Sequence, residues 1–262
     1  MQRALDIYVP LKGSLVPPRP NQHVPESQTF PLDPFMQSLL GGTLSDIHAC
    51  FPATSRPSKD TRVFFIQGAA GAGKSLFCWR TMQCFDMATT LSTFPVPVRV
   101  PIVITLPNVK QRMLAGPLDF LVQGIVDAYP TLQACFEQLD AGSRQDLFSD
   151  LPFLFFLDSV DELSDTTAIN AVNQLYNPAQ WSKSVFVITC RSEVLDSAVI
   201  SSALPPPRQF LPHGPVQPAL MTSLYLLPFS AAQRDTYVTI FAEKYTDLNQ
   251  RWTAGQYTHA LK

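Results

Sequence analysis

Apolar runs closed by polar residues set the frame of this chain. Residues 62–67, 98–106, 153–157 and 185–189 are rich in Val, Ile, Phe and Leu and read as buried strands, with a fifth over 224–227. Pro101 lies inside the second run and predicts an edge position or an irregular start there. The stretches between them carry helical spacing. A helix is predicted over 73–88, and another over 118–128, where Leu118, Leu121, Ile125 and Val126 fall on one face. Further helices are expected over 131–139 and 166–176, with a short one over 143–149. Alternating strands and helices predict an α/β fold: a parallel sheet with helices on both faces, a three-layer α/β/α arrangement.

The two ends follow other rules. Residues 1–60 contain Pro10, Pro17, Pro18, Pro20, Pro25, Pro31, Pro34, Pro52 and Pro57. Each removes a backbone donor and fixes φ, so no long helix is expected. An extended stretch around Ile7-Tyr8-Val9 and short helices over 35–40 and 44–50 are predicted, packed over the domain that follows. Residues 201–222, with Pro205-Pro206-Pro207, read as a long loop, an insertion or a partner surface. Ser230 followed by Gln233 is a capping box that opens a helix running to about residue 245. A second helix is expected over 253–261 and runs to the chain end, as if cut within a helical region. The expected organisation is a Pro-rich lead-in over 1–60, a nucleotide-binding domain over 61–229, and the start of a helical subdomain over 230–262. No internal repeat is visible.

Composition narrows the function classes. Lys and Arg total 19 against 21 Asp and Glu, so the net charge of -2 gives no global case for nucleic acid. No apolar run is long enough to span a bilayer, and the first residues lack the apolar core of a secretory signal. Cys50, Cys78, Cys84, Cys135 and Cys190 show no C-x-x-C spacing and read as reduced core thiols, which predicts a cytoplasmic protein. His23, His48, His213 and His259 are scattered, so a His-based metal site is not expected.

Three motifs carry the chemistry. The first is Gly68-Ala69-Ala70-Gly71-Ala72-Gly73-Lys74-Ser75, matching G-x-x-x-x-G-K-[ST] between a strand and a helix. Its glycines let backbone N–H groups converge on an anion, and the helix that follows, from Leu76 onward, points its positive end at the same place. Lys74 supplies a point charge for outer phosphates, and the Ser75 hydroxyl is placed for Mg²⁺. The second is the run ending in Asp158-Ser159-Val160-Asp161-Glu162. An acid at the carboxyl end of a buried parallel strand can hold Mg²⁺ opposite Ser75. Asp161 and Glu162 are candidates to deprotonate a water. The third is Thr189-Cys190-Arg191-Ser192, whose Arg191 could reach a γ-phosphate or pair with a nearby acid.

These motifs, with Leu227-Pro228-Phe229-Ser230 and then Tyr237, resemble the NACHT family of STAND-class P-loop NTPases. The D-[small]-x-D-E box is the most specific of them, and the pattern runs from Arg62 to the end. The resemblance implies a five-stranded sheet in the order 5-1-4-3-2, with ATP (sometimes GTP) and Mg²⁺ as cofactors. It implies a nucleotide-operated switch with slow hydrolysis, protein partners, and self-association through domains not present here. Lys74 and Ser75 would bind phosphate and Mg²⁺, Asp158 would hold Mg²⁺, Asp161 or Glu162 would be the base, and Arg191 the sensor. Nucleotide-binding residues would be Gly68, Ala69, Ala70, Gly71, Ala72, Gly73, Lys74, Ser75 and Leu76. The winged helix and the repeats that normally follow do not occur in this sequence. Two other classes compete. A P-loop small-molecule kinase would want several lid arginines, and between the acidic motif and Ser230 there are only Arg191 and Arg208. A binding module without turnover fits the same residues. The N-K-x-D box of guanine-reading GTPases is absent.

Overall fold

The apolar runs become strands that are covered on both sides. The computed structural model describes residues 9, 11–15, 17, 24–53, 56–57, 61–91, 99–113, 117–140, 142–143, 146, 150–163, 183–194 and 221–244. Among them, β1 (Lys12–Ser14), β2 (Thr29–Pro31), β3 (Val63–Gly68), β4 (Val100–Thr105), β5 (Phe153–Asp158), β6 (Val185–Arg191) and β7 (Met221–Leu226) form one sheet. Its order is β2-β1-β7-β3-β6-β5-β4. The expected five-stranded sheet is therefore corrected to a seven-stranded, mixed one. β7, β3, β6, β5 and β4 are mutually parallel neighbours, whereas β1 runs antiparallel to both β7 and β2. The two extra strands come from the lead-in and extend the sheet beyond β7.

Side-chain alternation divides the core into two layers. Val63 and Phe65 join Phe153, Phe155, Phe186 and Ile188 on one face. There they meet α4 (Leu106–Met113), α5 (Pro117–Ala128) and α6 (Gln133–Gln138) through Val109, Phe120, Leu121, Ile125 and Phe136. Phe64 and Ile66 face the other way with Leu154, Phe156, Val187 and Leu224. They are covered by α1 (Leu32–Gly41), α2 (Leu44–Ala49) and α3 (Lys74–Leu91). A final helix, α7 (Ala231–Lys244), follows β7. It opens with the expected capping box: Ser230 N–H donates to Gln233 Oε1 at 3.0 Å, and Gln233 N–H donates to Ser230 Oγ at 3.3 Å.

The prolines of the lead-in permit more helix than expected. α1 starts directly after Pro31 and holds Pro34 in its first turn, where backbone N–H groups have no intrahelical acceptor to lose. At the other end of α1, Arg99 is buried among orphan carbonyls. Its Nη1 donates to Leu39 O at 2.9 Å and Gly42 O at 2.7 Å, and its backbone N–H to Leu40 O at 2.7 Å. Burial, with Arg62 nearby, pushes its pKa down to about 10. Arg99 thus ties the lead-in to the start of β4. Arg99→Ala removes the guanidinium donor from the Leu39 and Gly42 carbonyls, while the backbone bond to Leu40 stays, and is expected to cost about 1.5–3 kcal/mol in chemical denaturation, hydrogen bonds to charged groups being the strong ones.

Other expectations meet the coordinates as follows. β4 lies at one end of the sheet, as Pro101 foretold. The last parallel strand begins at Met221 rather than Leu224, so the loop ends earlier than residue 222. Cys78 and Cys190 are buried, but Cys135 is exposed, which corrects its reading as a core thiol; all five cysteines are free. The helices expected over 166–176 and 253–261, the extended Ile7-Tyr8, most of 143–149, and 201–220 lie outside the described residues. No described helix is long and apolar enough to cross a membrane.

Candidate functional site

The site forms where the parallel strands end together. Register places Gly68 opposite Arg191, Thr105 opposite Asp158, and Leu157 opposite Ile188. The loop after β3, the acidic box after β5 and the Thr-Cys-Arg end of β6 therefore meet at one edge of the sheet, where ligands of open parallel sheets bind. The three motifs legible in the sequence are brought together.

The loop from Gly68 to Gly73 turns on glycines. Gly71 has φ +74° and Gly73 φ +94°, the left-handed region that side chains resist. A Cβ at Gly73 would also lie 3.6 Å from Leu11, so the lead-in packs directly against the loop. α3 then begins at Lys74, its N-terminus facing the loop. The Lys74 ammonium donates to Gly68 O at 2.7 Å and Ala69 O at 3.0 Å. Burial lowers its pKa from the ordinary lysine value, and the carboxylates of Asp161 and Glu193 oppose that shift.

Ser75 reaches across to the acidic strand. Its Oγ donates to Asp158 Oδ2 at 2.8 Å. Asp158 is only 5% exposed, so its direction is fixed by these contacts rather than by solvent. The Ser75 hydroxyl and the Asp158 carboxylate are the oxygen donors a hard cation such as Mg²⁺ prefers. Among the described residues, no group of three or more His, Cys, Asp or Glu could hold a metal ion. A cation here would therefore be shared between these two residues and phosphate oxygens, the usual manner of Mg²⁺.

Beyond Asp158 the chain bends through Ser159, a non-glycine residue with φ +66°. One 3-10 turn, Val160–Glu162, follows and carries the two candidate bases. Arg191 binds both. Its Nε lies 3.2 Å from Asp161 Oδ2 and its Nη2 2.7 Å from Glu162 Oε1. Its backbone N–H also donates to Asp161 Oδ1 at 3.0 Å. The Asp161 side chain is 3% exposed and that of Glu162 44%. The structure thus places Arg191 on the acids, one of the two partners the sequence offered it. Burial, with Asp161 close by, pushes the pKa of the Cys190 thiol up to about 12.

A cleft of about 1200 Å³ opens beside the loop. Gly68–Gly73 and Leu76 line one side, and Val9, Leu11 and Val24 of the lead-in another. The end of β7 and the first turns of α7 close it, with Phe229 and Tyr237 in ring contact at 6.3 Å. The part of the wall made by the lead-in escaped residue-by-residue prediction. So did Thr189, fully buried beside Asp158, whose only sequence signal was its position at the polar end of an apolar run.

No family model matches this chain, and neither does any curated protein. Solved structures similar to it include the structure of C. elegans PCH-2, at 12% identity and a TM-score of 0.34, covering 71% of this chain and 41% of that one. The Aeropyrum pernix ORC2 protein, in ADPNP-ADP complexes, is similar at 13% identity and a TM-score of 0.40, with 74% and 48% covered. Domain III of the Thermotoga maritima replication initiation protein DnaA is similar at 13% identity and 0.35, with 72% and 63% covered. The chain spans less than two thirds of the length of each of these.

Proposed function

We propose that this chain is an ATP- and Mg²⁺-binding P-loop module of NACHT type, acting as a nucleotide-dependent signalling or scaffold switch with slow hydrolysis. The observation that carries the nucleotide part is the 2.8 Å contact between Ser75 and Asp158. These residues are remote in sequence and both belong to motifs that hold Mg²⁺ in phosphate chemistry. In this reading the loop N–H groups and Lys74 hold the phosphates. Ser75 and Asp158 would hold Mg²⁺, which would supply charge neutralisation at the outer phosphates. The base occupies the cleft between lead-in and α7. Either Asp161 or Glu162 orients and deprotonates the attacking water, and Glu162 is the more accessible. Arg191 would exchange a carboxylate for a γ-phosphate as the nucleotide state changes. The assignment to a switch and the protein partners follow from the motif resemblance, and the cytoplasmic setting from the reading of the cysteines as reduced thiols.

Multiple-turnover phosphate release tests hydrolysis. The wild type is expected to release phosphate slowly, and Glu162→Gln to lower that rate by about 100-fold or more while retaining ATP binding, the usual range for loss of a general base. Equal, measurable rates for the two proteins would assign the base to Asp161, and no release above background from the wild type would favour a binding module without turnover.

A further inference from the structure

One buried hydroxyl serves both halves of the acidic motif. Thr189 is fully buried at the end of β6. Its Oγ1 donates to Asp158 Oδ1 at 2.5 Å and accepts the Ser159 N–H at 2.9 Å. These directions are forced: an ionised carboxylate only accepts and a backbone N–H only donates, so the single Thr189 proton must go to Asp158. With Oδ1 engaged by Thr189, Asp158 Oδ2 is the oxygen that faces Ser75. The same Thr189 oxygen pins the N–H of Ser159, the residue held at φ +66°. Left-handed backbone costs an ordinary residue about 1–2 kcal/mol, so that turn needs outside support. It delivers Asp161 and Glu162 immediately afterwards.

We propose that Thr189 is the positioning residue of this site, its hydroxyl orienting Asp158 for Mg²⁺ and holding the turn that presents Asp161 and Glu162. The inference rests on the nucleotide-binding reading above. It makes a demand that packing alone does not make: the hydroxyl, rather than the volume of the side chain, sets the Mg²⁺ requirement. Residues that orient a metal ligand typically alter metal affinity by about 10–100-fold when changed.

The test is ATP binding to the whole chain by calorimetry, in EDTA and across a Mg²⁺ titration, for wild type, Thr189→Val and Thr189→Ser. Valine keeps the shape and removes the hydroxyl; serine keeps the hydroxyl and removes the methyl. Thr189→Val is expected to bind ATP in EDTA as the wild type does, but to need about 10-fold more Mg²⁺ for half-maximal enhancement. Thr189→Ser is expected to follow the wild type. Thr189→Ala replaces the valine variant if that one does not fold. A valine variant with the wild-type Mg²⁺ requirement would overturn the inference and leave nucleotide binding intact. So would a serine variant shifted as far as valine, which would assign the effect to packing. A folded wild type that binds no ATP would overturn both the inference and the reading beneath it.

Discussion

Phe35→Ala is expected to lower the unfolding free energy by about 3–5 kcal/mol, the usual cost of removing a buried ring. Phe35 lies in the lead-in but has no exposed surface. Its ring centroid is 5.3 Å from that of Phe64 on β3, 5.4 Å from Phe51, 6.1 Å from Phe30 and 6.2 Å from Phe77 on α3. The ring thus joins the lead-in, the central strand and the helix that carries Lys74 and Ser75. Its loss leaves a cavity bounded by other aromatic rings, which close poorly around a void. At about 2–4 °C per kcal/mol for domains of 150–250 residues, the melting temperature should fall by roughly 10 °C. Urea unfolding should show a lower midpoint with an unchanged slope. A loss below about 1 kcal/mol, the level of an ordinary substitution, would mean that the lead-in is an appendage rather than part of the core.

Lys74→Ala is expected to weaken ATP affinity by about 30-fold or more, because truncating one partner of a buried charged pair costs about 2–5 kcal/mol. Burial already disfavours the Lys74 ammonium, and the two loop carbonyls that accept from it carry no formal charge. A triphosphate would offer a stronger partner at the same place, so the desolvation in the free protein becomes an advantage in the complex. Folding should survive, since Ala69 is exposed and Lys74 lies in the first turn of α3 beside the open loop, only partly buried. The check is a titration of both proteins with ATP·Mg²⁺, alongside a denaturation curve. Unchanged affinity in the variant would place the nucleotide elsewhere, or nowhere, on this chain.

Local chemistry was the legible part. The loop could be read because its function needs Gly at fixed offsets beside Lys74 and Ser75. Asp158 could be read because a buried strand has few reasons to end in an acid. β3, β5 and β6 were found within a residue or two, since strands covered on both faces must be apolar throughout. What escaped depends on distant partners. Lys12-Gly13-Ser14 has little strand propensity and Thr29-Phe30-Pro31 is three residues ending in proline; the first is a strand through pairing with the edge of β7, and the second through pairing with the first. Thr189 could be seen at a strand end, but its role needs β5 and β6 side by side in a particular register. The choice of Arg191 between acid and phosphate was open in the sequence for the same reason: Asp161 and Glu162 become its neighbours only through the fold.

The most direct measurement is calorimetric titration of the folded chain with ATP, with and without Mg²⁺. Saturable binding at one site, strengthened by Mg²⁺ and weakened about 30-fold or more in Lys74→Ala, is the predicted result. A folded, cooperatively melting protein that takes up no ATP under either condition would contradict the central claim.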